Sequence, residues 1–202
     1  LGKRVVNICL SVTGNNTKYV LLGFLIVGTL LSMWISNMAV AAMLMPLAKS
    51  LLEEEGVKPL ESNFGKALLL SVAWGGLIGG MGTPAGNGPN PLAIGFMKDM
   101  AGINISFLEW MKYGIPICLI HVPIAWGLLL LAFKPEMKYL KKTNEEIKRD
   151  FRNQPKLSRD EIVTLILFVP TIVLWIFSHQ LSKLLGTDIP ITLPAIVAAM
   201  IF

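Results

Sequence analysis

Charged residues are scarce in this sequence. They make up 15% of its 202 residues, whereas 53% are hydrophobic; soluble domains usually carry about 25% charged residues. The long uncharged runs that result are typical of a polytopic membrane protein. The net charge of +5 does not indicate nucleic-acid binding, because residues 134–160 alone contribute +4 of it. We therefore expect an integral membrane protein that contacts the lipid bilayer and has no nucleic-acid partner.

Cysteine and histidine are also few. Cys9 and Cys118 provide neither a disulfide framework nor a metal-binding spacing, and the two histidines lie far apart in the sequence. No acid–base pair, activated nucleophile or metal cluster is present, so we do not expect an enzyme. The chain begins without methionine and ends at Phe202 inside an apolar run. We interpret it as a piece of a longer protein.

The apolar runs predict an all-α membrane protein. The predicted segments are a re-entrant hairpin at 18–48, a broken helix at 64–100, helices at 107–133 and 161–178, and the start of another at 191. The basic stretch 134–160 is expected on the cytoplasmic side. Its apolar residues recur at roughly helical spacing, which predicts a helix on the membrane surface. These residues are Met137, Leu140, Ile147 and Phe151.

The first interruption of an apolar run is at Ser36-Asn37. Ser32 and Ser36 are four residues apart, so their hydroxyls lie on one face of a helix. Asn37 adds a side-chain carbonyl, and a helix that ends here leaves backbone carbonyls without partners. These neutral oxygens suit a hard cation such as Na⁺. The helix that begins after Asn37 presents free N–H groups, which suit an anion.

The second interruption is the glycine- and proline-rich run 79–91, GGMGTPAGNGPNP. It has neither the G-x-G-x-x-G of a dinucleotide site nor the Gly-Lys-Ser/Thr of a P-loop. Thr83, Asn87 and Asn90 are its polar side chains. Irregular backbone persists at membrane depth only where it lines a cavity or is buried in protein. We expect free carbonyls of this run, that of Gly86 included, to face the first break.

Other interpretations remain open for both breaks. Residues 18–48 could form one long helix, although the positive-inside bias of the nearby cations favours the hairpin. The serines could simply bond to the preceding helical turn at a kink. The glycine-rich run could be a loop outside the membrane, although Lys66 is the one charged residue between positions 64 and 98.

Both motifs resemble signatures of one family. Residues 31–37, LSMWISN, followed by 39–43, resemble the Ser-Asn-Thr signature of the divalent anion:sodium symporter family. Residues 79–84 and 86–90 resemble its second signature, a Gly-Thr/Ser-Pro/Gly-Pro-Asn loop. The order of the motifs, their separation and the basic loop that follows also fit. The resemblance covers essentially all 202 residues.

The resemblance implies a set of site residues. Two positions depart from the family pattern, because Met38 stands where threonine is usual and Asn87 where threonine or serine is usual. The implied Na⁺ ligands are Ser32, Ser36, Asn37 and the carbonyl of Gly86. The implied substrate contacts are Asn37, Met38, Asn87 and Gly88.

The resemblance also implies a function. Family members couple Na⁺ to the uptake of a dicarboxylate, citrate or sulfate, act as homodimers, and move a transport domain in an elevator-like way. The chain would be the first repeat, and so one half, of an inverted-repeat transporter in a bacterial or archaeal plasma membrane. Residues 1–100 would belong to the transport domain and 101–202 to the helices that follow. A passive channel built from half-helices and a structural membrane subunit are the alternatives.

Overall fold

The computed structural model describes residues 2–153 and 157–185, and the single positions 193, 196, 197 and 200. Apart from one isolated bridge between Asn16 and Tyr139, the regular structure of these residues is helical. The predicted all-α fold is confirmed, while the predicted helix start at 191 lies outside the described residues. The helices are α1 (Gly2–Thr13), α2 (Thr17–Ser32), α3 (Asn37–Glu55), α4 (Asn63–Gly80), α5 (Pro89–Ala101), α6 (Phe107–Ala132), α7 (Asn144–Arg152) and α8 (Arg159–Leu185).

The helices α2 and α3 form a hairpin whose tip is residues 33–36. Ser36 begins α3 as its N-cap, with its Oγ accepting a hydrogen bond from Ala39 N at 3.3 Å. Such a cap satisfies one of the amides that a helix start leaves unpaired. The helix ends at Gly56, which adopts a left-handed φ of 70° that suits glycine. The hairpin is longer than predicted, because α3 continues through its acidic end, and its re-entrant position in a membrane stays a prediction.

The helix α4 packs closely against α2 and runs in the same direction. A Cβ added at Gly75 would lie 2.6 Å from Leu25 O, and one at Gly79 would overlap Thr29 O. The contacting residue numbers rise together on both helices, so the helices are parallel. Glycines allow this close approach, as they do in many membrane helix pairs. Because α3 returns between them, the two breaks lie at the same end of the bundle.

The main core lies toward the other end of the bundle. Its largest buried side chains include Phe24, Leu44 and Phe64, one from each of α2, α3 and α4. Leu140 and Ile147, from the basic stretch, belong to the same core and are 4% and 5% exposed. Of the described residues in 134–160, positions 134–143 are not helical, and α7 forms the helix that follows them. Leu140 and Ile147 pack inside the protein, whereas Phe151 is 40% exposed, and the position of this stretch at a membrane surface stays a prediction.

Residues 134–143, which we call the cross-segment, connect α6 to α7 and run across the base of the hairpin. Thr17 N donates to Lys138 O at 3.2 Å, and Lys141 N donates to the buried Glu55 Oε2 at 2.8 Å. An ion pair of 3.0 Å between Lys142 and Glu54 adds a further contact. The cross-segment thus ties the end of α6 to α2 and α3.

Glu136 of the cross-segment caps the start of α4. Its carboxylate accepts hydrogen bonds from the backbone N–H groups of Asn63 and Phe64, the latter at 3.1 Å. Desolvation by burial raises the pKa of this carboxyl. The backbone hydrogen bonds lower it, and the net pKa lies below its usual value of 4.5.

Among the described residues, α6 is the one helix long and apolar enough to cross a membrane. It begins at the predicted residue and ends one residue before the predicted end. Much of its surface faces outward, for example Leu119 and Leu131 at 68% and 74% exposed, as expected of a helix in lipid. The segments Thr17–Ser32 and Glu161–Phe177 are apolar but shorter. α8 contacts α6 through Trp175, whose ring stacks on that of Phe107 with centroids 5.9 Å apart.

Candidate functional site

The structure brings the two breaks into direct contact. Ser32 Oγ lies 2.7 Å from the Asn37 side-chain amide, which also lies 3.3 Å from Gly86 O and 3.2 Å from Gly76 O. A Cβ added at Gly86 would lie 2.7 Å from Ser32 O, so the backbones of the two breaks touch. Ser32 and Gly86 are buried, and Asn37 is half-buried. Three of the four predicted Na⁺ ligands are therefore neighbours.

The amide of Asn37 can face this cluster with either of its two terminal atoms. With Nδ2 inward, its two N–H groups are shared among three acceptors, Ser32 Oγ and the carbonyls of Gly76 and Gly86. With Oδ1 inward, it accepts from Ser32 Oγ but faces two carbonyl oxygens that cannot donate to it. The second orientation creates a group of converging oxygens that needs a cation to be stable. The donor set thus fits a small hard cation when the oxygen is inward.

Thr83 links the second break to the first. It is fully buried, and its hydroxyl donates to Met33 O at the tip of the hairpin. The same Oγ1 accepts hydrogen bonds from Ala85 N and Gly86 N, both at 3.2 Å. Thr83 therefore fixes the position of Gly86 relative to the hairpin tip. Its polarity was visible in the sequence, but its bonding partners were not.

Asn90, at the end of the second break, is hydrogen-bonded to residues at its beginning. Its Nδ2 donates to Gly80 O at 2.7 Å and to Thr83 O at 2.9 Å. The side chain at the start of α5 thereby satisfies one carbonyl that the end of α4 leaves open and one carbonyl of the break itself. The carbonyl of Gly76, which faces Asn37 from within α4, had no signal in the sequence beyond its place in a glycine-rich helix.

The remaining predicted site residues lie at the surface of the breaks. Ser36 is exposed, and its hydroxyl serves as the cap of α3. Met38 is 82% exposed, Gly88 is exposed with open space where a Cβ would be, and Asn87 is half-buried. Met38 lies in the first turn of α3, and Asn87 and Gly88 directly precede α5. Nothing in this geometry tests their predicted contact with a substrate.

No charged side chain belongs to either break. Positions 19–48 and 67–97 contain no Asp, Glu, Lys or Arg. Within the part of the chain that the structure describes, no group of three or more His, Cys, Asp or Glu side chains forms a metal centre. The side chains that these two segments contribute to the site are therefore neutral dipoles.

Comparison with known proteins identifies the family. Residues 1–202 match the family described as the sodium:sulfate symporter transmembrane region. The chain belongs to this family. The predicted relationship to sodium-coupled anion symporters is thus confirmed. Membership also makes the chain part of an integral membrane protein.

Curated relatives of this symporter family chain are similar over most of its length. It is 32% identical over 191 residues to the sodium-dependent dicarboxylate transporter SdcS of Staphylococcus saprophyticus, and 31% identical to that of Staphylococcus aureus. An uncharacterized transporter of Haemophilus influenzae is 30% identical over 186 residues. These alignments include 91–92% of this chain but 37% of each relative. The chain thus spans little more than a third of the length of these relatives.

Proposed function

We propose that the full-length protein is a secondary transporter that couples Na⁺ to the uptake of a small anion. The anion would be a di- or tricarboxylate or sulfate. The observation that carries the proposal is the contact between the two breaks, where Ser32, Asn37 and Gly86 converge. The names of the relatives, sodium-dependent dicarboxylate transporters, support the cation and the substrate class. This proposed function is transport and not enzymatic catalysis.

Na⁺ would be held by oxygens of both breaks. The proposed ligands are Ser32 Oγ, Asn37 Oδ1 and Gly86 O, with Ser36 as the fourth. Ser36 would have to leave its cap on α3 to join them, because its Oγ accepts from Ala39 N. Only neutral oxygens surround the ion, so we expect affinity low enough for release on the other side of the membrane.

The anion would be held at the start of α3. The first helical turn presents backbone N–H groups and the positive end of the helix dipole, which favour a carboxylate or sulfate. No lysine or arginine belongs to either break, so the bound Na⁺ would supply the balancing positive charge. Met38, Asn87 and Gly88 are the proposed neighbours of the anion.

The Asn37 amide offers a route for coupling the two ligands. When its oxygen turns toward the cation, its nitrogen is no longer bonded to the carbonyls of Gly76 and Gly86. That nitrogen then becomes available as a donor on the outer side of the cluster. Binding of Na⁺ would thereby improve the site for the anion, and the reciprocal effect follows from linkage.

Transport would follow an elevator-like alternating access in a homodimer. Residues 18–100 carry both breaks and belong to the proposed moving part. The protein would reside in a bacterial or archaeal plasma membrane, with residues 134–160 on the cytoplasmic side. The excess of Lys and Arg in that stretch supports this orientation.

The test replaces Asn37 in the full-length protein. We expect Asn37→Ala to abolish Na⁺-dependent uptake of labelled succinate and sulfate in proteoliposomes, because it removes the side chain shared by both breaks. The matched control is Asn104→Ala, which changes an exposed loop residue. Both variants should express at the wild-type level.

Three outcomes would contradict the proposal. Unaltered uptake by Asn37→Ala would discard the site. Flux that neither saturates nor depends on Na⁺ would indicate a passive channel instead. Absence of any flux in the wild type, with both anions and a Na⁺ gradient, would favour a structural subunit.

A further inference from the structure

One face of α6 contacts the end of α4. Trp110, Gly114 and Cys118 are spaced four residues apart, so they lie in a row on this face. Trp110 Nε1 donates to Met81 O at 3.0 Å, and Cys118 Sγ donates to Ile78 O at 3.0 Å. A Cβ added at Gly114 would lie 2.7 Å from Met81 O, so glycine is needed for this approach.

These contacts complete the hydrogen bonding at the end of α4. A helix end leaves its last carbonyls without helical partners, and in lipid each of them needs another donor. Gly79 O accepts from Gly82 N at 2.9 Å, and Gly80 O accepts from Asn90 Nδ2 at 2.7 Å. Ile78 O accepts from Met81 N at 3.2 Å as well as from Cys118 Sγ. Together with the bond from Trp110 to Met81 O, every carbonyl from Ile78 to Met81 has a donor that is not Asn37.

The consequence concerns the oxygens that face the hairpin. The four successive carbonyls from Ile78 to Met81 are bonded to other donors. The carbonyls of Gly76 and Gly86 are the ones directed at Asn37. If Met81 O lost the donor from Trp110, or if Ile78 O lost the donor from Cys118 and kept only Met81 N, the start of the break could rotate and present a different oxygen. Gly86 would then shift relative to Ser32, which its backbone touches.

We propose that Trp110 and Cys118 are positioning residues for the cation. They do not touch the ion; they hold the second break so that the Gly86 carbonyl stays directed at Ser32 and Asn37. The inference rests on the proposed function, since it assumes that these oxygens bind Na⁺. It adds two residues of α6 that lie outside both sequence motifs.

A merely structural role would give a different result. If the two side chains only stabilise the helix end, removing their donors lowers the amount of folded protein and the maximal rate at every Na⁺ concentration. If they position the cation ligands, the half-saturating Na⁺ concentration rises while the rate at saturating Na⁺ is kept.

The experiment compares donor-free and donor-retaining variants of the full-length protein. Trp110→Phe and Cys118→Val remove a donor and keep the approximate side-chain size, whereas Cys118→Ser keeps a donor. Tyr113→Phe, at an exposed position of the same helix, is the second control. The readouts are Na⁺ dependence of succinate uptake and, without any anion, protection by Na⁺ against thermal unfolding in detergent.

We expect Trp110→Phe to raise the half-saturating Na⁺ concentration by about three- to tenfold, the effect of one hydrogen bond. Cys118→Val should raise it by about threefold, because a thiol is a weaker donor and Ile78 O keeps its bond from Met81 N. Cys118→Ser and Tyr113→Phe should stay within about twofold of wild type, a small change on the same scale. Unchanged Na⁺ dependence in both donor-free variants, or an equal loss in Cys118→Ser, would overturn the inference. A wild-type protein with no Na⁺ dependence in either readout would instead refute the proposed function.

Discussion

The hydroxyl of Thr83 donates to the carbonyl oxygen of Met33, so a side chain of the second break is bonded to the tip of the first. The same oxygen atom accepts from the backbone amides of Ala85 and Gly86. One buried side chain therefore sets the distance between the two halves of the proposed Na⁺ site.

Replacing Thr83 by valine should separate the two breaks. Valine has nearly the same shape but removes the partner of Met33 O and of Ala85 N, at a cost of about 1–3 kcal/mol per buried group, while Gly86 N keeps its 3.3 Å bond to Thr83 O. We expect Na⁺-dependent uptake by Thr83→Val to fall at least tenfold. Thr83→Ser keeps the hydroxyl and should retain most of the activity. Equal uptake by the two variants would show that the hydrogen bond is not needed.

The close approach of Gly80 to Asn37 gives a second prediction. A Cβ at Gly80 would overlap the terminal amide of Asn37, whereas nothing lies within 4 Å of a Cβ at Gly95 in α5. We expect Gly80→Ala to remove Na⁺-dependent uptake by displacing the amide. Gly95→Ala should keep uptake and, because it replaces a glycine inside a helix, gain about 0.5–1 kcal/mol of stability. Uptake assays and thermal unfolding of both variants distinguish local displacement from general damage.

Met38 is expected to limit the affinity for the anion. Its exposed side chain stands in the first turn of α3 and provides no hydrogen-bond donor. Met38→Thr adds a hydroxyl beside the proposed anion and should lower the KM for succinate by about three- to tenfold. Met38→Leu, which adds no donor, should leave KM unchanged. The prediction is contradicted if threonine and leucine have the same effect.

The cap formed by Glu136 predicts a dependence of stability on pH. Its pKa in the folded protein lies below the usual value of 4.5, because the hydrogen bonds from Asn63 and Phe64 outweigh desolvation. The unfolded chain therefore binds a proton more readily than the folded one. The stabilisation is fully present above about pH 5, near the usual glutamate value, and is lost as pH falls through the folded pKa.

Thermal unfolding of Glu136→Gln checks this. Near pH 7 the variant should be less stable by about 0.5–1 kcal/mol, the lower part of the range for loss of a helix cap, because Glu136 is exposed to solvent. The difference from wild type should shrink as pH falls below about 4.5. Glu145→Gln, at an exposed glutamate in the first turn of α7, serves as the control. A difference from wild type that is constant over this pH range would exclude the cap as its cause.

The contact between the two breaks was predictable, because both contain polar and backbone groups that need hydrogen-bonding partners. Polar residues and unpaired backbone at Ser36-Asn37 and in 79–91 could not face hydrocarbon, so they had to find each other or another partner. The start of α6 was equally predictable, because a long apolar run begins there in which Glu109 and Lys112 are the two charged residues. Hydropathy and hydrogen-bonding demand were sufficient for these features.

Features that depend on how helices rotate about their axes were not predictable. The row Trp110, Gly114 and Cys118 is visible in the sequence, but nothing there shows that it faces α4. The spacing of Leu140 and Ile147 fits either a membrane surface or a protein core. In the structure both side chains pack in the core that α1–α4 form. The bond from Thr83 to Met33 likewise joins residues 50 positions apart.

One continuous stretch of chain, α6 together with the cross-segment, is hydrogen-bonded to both ends of α4. Trp110 and Cys118 hold its carbonyl end, while Glu136 holds its amide end. Because α4 is hydrogen-bonded to this stretch at both ends, a shift or tilt of α4 breaks these bonds unless the stretch moves with it. We therefore expect α6 and the chain up to residue 143 to move with α4 in any displacement across the bilayer. The boundary between the moving and the stationary part of the protein would then lie well after residue 100.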